Sequence, residues 1–188
     1  MTTTFDFGAG PVPAHQHANG GGWVADSATV AESVFVGPDA LIFDSAVVSD
    51  SAQIVGRAKI YGSAAVGGMA MIGGLACVTD NAKVGDSAHL YGWVHVSGNA
   101  LIAGGAVLAD SARISGDAVV SDDAGVGGFA RISGCAKIYG RARVLDEARI
   151  SGNVEIRGKT VLSGAVIITG DARITAARSS YTGYEDFE

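Results

Sequence analysis

From Asp26 to Thr175 the chain divides into consecutive six-residue units without a gap, from DSATVA, ESVFVG and PDALIF through to GDARIT. There are 25 such units over 150 residues. The fifth residue of every unit is Val, Ile or Leu. The third is Ala in all but five units, which carry Val34, Val94, Val154, Thr160 and Val166. The first is mostly Gly or Asp. A small residue and an aliphatic two apart face the same side of a strand, and the residue between them faces the other. Gly or Asp at the start of the next unit suits a tight corner, since both tolerate unusual backbone angles. Each unit therefore reads as one short strand and one corner. A helix would need apolar residues three and four apart, which this pattern lacks. Short strands, regular corners and one continuous inward stripe predict an all-β solenoid, in which each coil buries its aliphatics against its neighbours.

Composition agrees with one core. The chain is 48% hydrophobic and 17% charged, with 28 glycines and only three prolines. The glycines have no three-residue period, so collagen is excluded. No apolar run is long enough to cross a bilayer, and the first residues, MTTTFDFGAG, lack the pattern of a signal peptide. Two cysteines, Cys77 and Cys135, are too few for a disulfide framework, and they lie more than three predicted coils apart. A cytoplasmic protein with free thiols is expected, with no membrane partner. The net charge of −6 is uneven. Met1 to Ala112 holds nine acids and three bases; Arg113 to Arg178 holds seven acids and ten bases. A general nucleic-acid binder would be net basic, so no nucleic-acid partner is expected.

The units resemble the hexapeptide-repeat family, whose motif places a small residue four after an aliphatic. VGDSAHL (Val84 to Leu90) and ISGCAKI (Ile132 to Ile138) show it well. The resemblance covers about four fifths of the chain. It implies a left-handed parallel β-helix of triangular section, three units per coil, hence roughly eight coils and a prism ~40 Å long at the usual strand spacing. The left hand comes from the resemblance, since general crossover rules favour the right. The segment His17-Ala18-Asn19-Gly20-Gly21-Gly22-Trp23-Val24-Ala25 also resembles the lead-in of a group of bacterial and phage-borne repeat proteins, which implies no activity.

Eighteen residues per coil stack the outward fourth positions into three columns. One reads Leu41, Lys59, Cys77, His95, Arg113, Arg131, Arg149, Ile167. Another reads Phe35, Gln53, Met71, His89, Val107, Gly125, Arg143, Val161. The third reads Thr29, Val47, Ala65, Lys83, Leu101, Val119, Lys137, Glu155, Arg173. The many apolar outward positions predict self-association, and the family resemblance implies a homotrimer. Arg113, Arg131 and Arg149, with His95 above them, form a ladder of like charges. Such a ladder needs anions or carboxylates nearby. Either it is an anion groove for a phosphate or nucleotide-like ligand, or it is an ordinary column paired with Asp117, Glu147 or Glu155.

Acyltransferases of the resembled family use a histidine as general base beside coenzyme A in a cleft between subunits. The resemblance therefore makes His89 and His95 catalytic candidates, with acetyl-CoA as cofactor. Lying six positions apart, they fall on neighbouring faces. No loop interrupts the repeats, where catalytic residues tend to sit, so a non-catalytic trimeric binding module is the leading expectation, its intersubunit grooves holding a small anionic ligand or a partner protein at His95, Arg113, Arg131 and Arg149. A zinc hydratase is not expected, because three imidazoles are needed and only two lie mid-chain. Phe43 and Tyr61 share one corner column and Trp93 and Phe129 another, and these read as packing or interface residues.

The domain reading is a lead-in over 1–25, a β-helix over 26–175 and an acidic-aromatic tail over 176–188. Both ends of a solenoid need caps against runaway pairing. Trp23 with Phe5 or Phe7 is expected to cover the first coil. Tyr181, Tyr184 and Phe187 would fold back over the last one or extend to a partner. The acidic front and basic back also allow head-to-tail stacking into a filament. His15 and His17 would share one face of an extended segment, which makes them weak metal candidates, since no carboxylate or thiolate adjoins them.

Overall fold

The computed structural model of the chain describes residues 3–175 in full, together with the backbone of 176, 180–182 and 186–187. Its strands form three sheets of twelve, nine and nine strands. Each unit contributes one short strand, and three units complete a coil. Consecutive coils pair in parallel with a register of eighteen residues, as in Leu41↔Lys59, Val47↔Ala65 and Gln53↔Met71. Among the described residues no helix is long and apolar enough to cross a membrane.

The inward stripe is the core. The fifth-position aliphatics from Val36 to Ile168 and the third-position alanines between them are almost wholly buried. A branched side chain every second residue suits a pleated, packed surface. Alanine opposite it keeps the narrow prism filled without overpacking. Thr160, the one polar residue in this stripe, is fully buried and donates its hydroxyl to the Arg157 carbonyl, 2.8 Å away.

Backbone pairing runs along the axis. The fourth-position N–H of one coil donates to the third-position carbonyl of the next, as in Lys59 to Ala76 at 2.9 Å. The sixth- and second-position N–H groups do likewise, as in Val55 to Ile72 and Arg57 to Gly74, both at 2.8 Å. The corner residue itself adopts positive φ. Seven corners are Asp: Asp44, Asp50, Asp80, Asp86, Asp110, Asp122 and Asp146, with φ between 53° and 59°. In all seven the residue one coil on is Gly, and its N–H donates to the Asp carboxylate. The distances run from 2.8 Å at Gly68, Gly104 to 3.1 Å at Gly62. Asp is thus more than a turn-tolerant residue here. Its carboxylate accepts the corner N–H that the backbone ladder leaves over. The receiving corner is close to the coil beyond it: a Cβ on Gly68 would lie 2.6 Å from the Asp86 carbonyl oxygen, so a side chain there would need the backbone to shift.

The front end differs from the reading above. β1 (Thr4–Asp6) and β2 (Pro11–Gln16) form an antiparallel hairpin, and β2 pairs antiparallel with β3 (Trp23–Ala25). β3 then pairs in parallel with Leu41–Ile42. The prism therefore begins before Asp26. GGGWVA, residues 20–25, is itself a unit in phase, with Gly22 in the place of the alanine. A Cβ there would stand 2.4 Å from the Gly37 carbonyl oxygen, so even alanine does not fit. Trp23 does not lie over the end of the core. It faces outward on the side of the prism, stacked on Phe5 at 4.5 Å between ring centres. Phe7 stacks on Phe43 and Phe43 on Tyr61, at 5.0 and 4.9 Å. The loop after β2 closes the coil instead, through Gly22 N–H to the Val36 carbonyl and Val36 N–H to the Asn19 carbonyl, both 2.9 Å. At the back end the backbone of Ser180–Thr182 and Asp186–Phe187 continues two sheets in parallel. Tyr184 and the side chains of Tyr181 and Phe187 lie outside the described residues.

Two outcomes are expected from the corners. Asp86→Ala removes a carboxylate acceptor and leaves a Cβ residue at positive φ, and should cost about 1–2 kcal/mol. Asp86→Gly loses the acceptor but not the backbone fit, so its thermal midpoint should fall less. The second outcome concerns acid. The Gly68 N–H, with the Ser49 hydroxyl, holds the Asp50 carboxyl below the usual carboxylate range. The Tyr139 hydroxyl does the same for Glu155. A lowered carboxyl stabilises the fold above its unfolded pKa, about 4, and that stabilisation is lost as pH falls through the lower folded value. Thermal midpoints should therefore drop below about pH 4, less steeply in Asp50→Gly.

Candidate functional site: the arginine face

The solenoid places Cys77, His95, Arg113, Arg131, Arg149 and Ile167 one above the next on one face. Their spacing is one strand separation, ~4.8 Å. Each is a fourth-position residue, so it faces out while its neighbour, such as Ile114 or Ile132, fills the core. The three arginines are exposed. Like charges so close repel each other, by about 1 kcal/mol per pair even in water.

The carboxylates named above as possible partners are engaged elsewhere or out of reach. Asp117 accepts the Asn99 amide at 2.9 Å, in a corner ladder that begins with Asn81. Glu155 accepts the Tyr139 hydroxyl and pairs with Arg157 and Arg173 at 4.0 and 3.6 Å. Glu147 borders a shallow depression with Arg149 without an ion pair. Among the described residues the arginine ion pairs fall on Arg141, Arg157 and Arg173, and none on Arg113, Arg131 or Arg149. Arg143, on another face, lays its guanidinium over Gly125 and donates to the Asp123 carbonyl at 2.7 Å.

Trp93 and Phe129, which the sequence reads as packing or interface residues, border this face. They are the second residues of their units, on the corner that borders the arginine face. They stand 68% and 67% exposed, so neither is a packing residue of the isolated chain. With Ser111 between them they wall a notch of about 300 Å³ over Arg113 and Arg131. Trp93 also borders a second depression of about 290 Å³ with Leu75, Cys77, His95 and Arg113. The signal was present in the sequence: two aromatics 36 residues apart, with a serine midway and arginines two residues after the serine and after the second ring.

The histidines separate. His95 is half-buried in the arginine column. His89 lies on the neighbouring face between Met71 and Val107, with its Nδ1 bonded to the Tyr91 hydroxyl. His15 and His17 do not form a shared metal face. His15 is exposed with Nδ1 2.8 Å from an Asp26 carboxylate oxygen, so a carboxylate does adjoin it. His17 is only 7% exposed and folds into its own loop, with Nδ1 3.3 Å from the Asn19 N–H. No cluster of three metal-ligating side chains occurs among the described residues. Cys77 and Cys135 are free thiols on different faces.

The YdcK β-solenoid repeat model matches residues 112–128. No curated protein matches. Among solved structures, the chain is similar to UDP-N-acetylglucosamine O-acyltransferase (LpxA) from Moraxella catarrhalis RH4, at 16% identity and a TM-score of 0.47, covering 79% of this chain and 69% of that one. It is similar to the Francisella novicida UDP-N-acetylglucosamine acyltransferase at 12% identity and 0.32, covering 80% and 62%. For the Arabidopsis enzyme the values are 16% and 0.31, covering 87% and 69%. The matched segment, residues 112–128, lies within the run of 25 units and is similar to a β-solenoid repeat.

Proposed function

We propose that the chain is a non-catalytic β-helical binding module that self-associates and takes a small anionic ligand on its arginine face. One observation carries this reading: Arg113, Arg131 and Arg149 stack in register with no carboxylate partner among the described residues. A bound phosphate or carboxylate would relieve that repulsion. Arginine offers it planar, bidentate donors. Self-association is supported by the apolar outward residues of the other two faces, where Phe35, Val47, Leu101 and Val107 are exposed. Closing three copies around these faces would bury a patch that a lone prism leaves wet. Grooves between subunits would then frame the ligand.

Acyl transfer is the second reading. The observation that favours it is His95, half-buried in a depression between Leu75 and Trp93. It requires acetyl-CoA to bind and that binding, or turnover, to be lost in His95→Ala.

Calorimetry at low salt with pyrophosphate and a panel of nucleotides tests the first reading. Binding is expected, weakening as salt rises and falling about tenfold in Arg131→Ala, the loss of one charge-assisted contact. No heat with any anion, or unchanged binding in Arg131→Ala, would overturn it. Sedimentation should give the mass of three chains; a monomer at micromolar concentration would remove the trimer.

A further inference from the structure

We infer that the notch between Trp93 and Phe129 is a base pocket, so that the arginine face takes a nucleoside 5′-monophosphate. The base would sit between the two rings and its phosphate on Arg113 and Arg131. This rests on the anion-binding reading and adds the part of the ligand that phosphate alone does not explain.

The corner column on this edge reads Leu75, Trp93, Ser111, Phe129, Glu147 at eighteen-residue steps. Ser111 leaves an opening two coils deep between the rings, ~9.6 Å from backbone to backbone. One flat ring with a van der Waals gap of ~3.5 Å on either side fits that opening, and two do not. Two exposed aromatics on one open notch call for a partner that covers apolar rings. The volume, about 300 Å³, is that of a small-ligand site.

The polar half is aligned with it. Ser111, on the corner, and Arg113, on the strand that follows, are two residues apart, at most ~7 Å along the chain. That is the reach of a ribose between a base and its 5′-phosphate. Arg131 lies in register below Arg113, so two guanidiniums meet one phosphate. Half-buried Ser115 and Ser133 flank the arginines on the far side. A free inorganic anion would use the arginines and leave the rings bare. A neutral aromatic would do the reverse. A nucleotide uses both, and stacking on side chains accepts any base because every base has a flat face.

The test is calorimetry on the full chain with AMP, ribose 5-phosphate and adenosine. AMP should bind about tenfold or more tighter than ribose 5-phosphate, the worth of one stacked base, and adenosine weakest of the three. Trp93→Ala and Phe129→Ala should bring AMP to the level of ribose 5-phosphate and leave the latter unchanged. Arg131→Ala should weaken both phosphates. Because both rings are exposed, these variants should keep the wild-type thermal midpoint, which separates loss of binding from loss of fold. Equal affinity for AMP and ribose 5-phosphate, or AMP binding untouched in Trp93→Ala, would overturn the base pocket while the arginine face stands. No binding of either phosphate would overturn the arginine face and the pocket with it.

Discussion

The whole structure depends on turning a corner every six residues while successive coils stay in one register. A parallel ladder pairs the strand amides automatically, but the corner residue has positive φ and its N–H points past the ladder. At seven corners an Asp carboxylate from the coil before accepts that N–H. Asp at positive φ gives up backbone comfort, and a charge-assisted bond offsets it. The Asp and its receiving Gly then lock successive coils into one register. A shift of one residue would turn every aliphatic outward.

Register at the corners is what gives the surface its meaning. Because each coil repeats after eighteen residues, outward side chains align into columns whatever their chemistry. Arg113, Arg131 and Arg149 are held one strand apart by a core that contains none of them. The fold therefore imposes a like-charge stack that an isolated strand would avoid. Trp93 and Phe129 are placed by the same rule, two coils apart on the adjoining corner. The spacing of these columns is set by backbone pairing and not by side-chain packing.

Much of this was legible in the sequence. Position in the unit was enough to assign each outward residue to its column, and the paired registers match from Leu41 to Ile167. What was not legible has physical reasons. GGGWVA escaped notice because Gly22 replaces the alanine where two backbones approach too closely for a Cβ. Gly and Asp looked interchangeable at corners, since both tolerate positive φ; only the coil-to-coil contact shows that they are donor and acceptor. Trp93 and Phe129 read as packing or interface residues, because hydrophobicity alone does not say on which side of a corner a ring falls. His15 and His17 looked alike because alternation along an extended strand ends where β2 does, and His17 belongs to the loop beyond it.

The corner claim can be tested amide by amide. Gly62, Gly68, Gly98, Gly104, Gly128, Gly140 and Gly164 follow an Asp corner, whereas Gly74, Gly92, Gly116, Gly134 and Gly152 follow a Gly corner. Hydrogen exchange followed by NMR should find the first group protected about tenfold more than the second, as a bond to a charged acceptor requires. Indistinguishable exchange in the two groups would contradict the account, because the carboxylates would then not be holding the coils together.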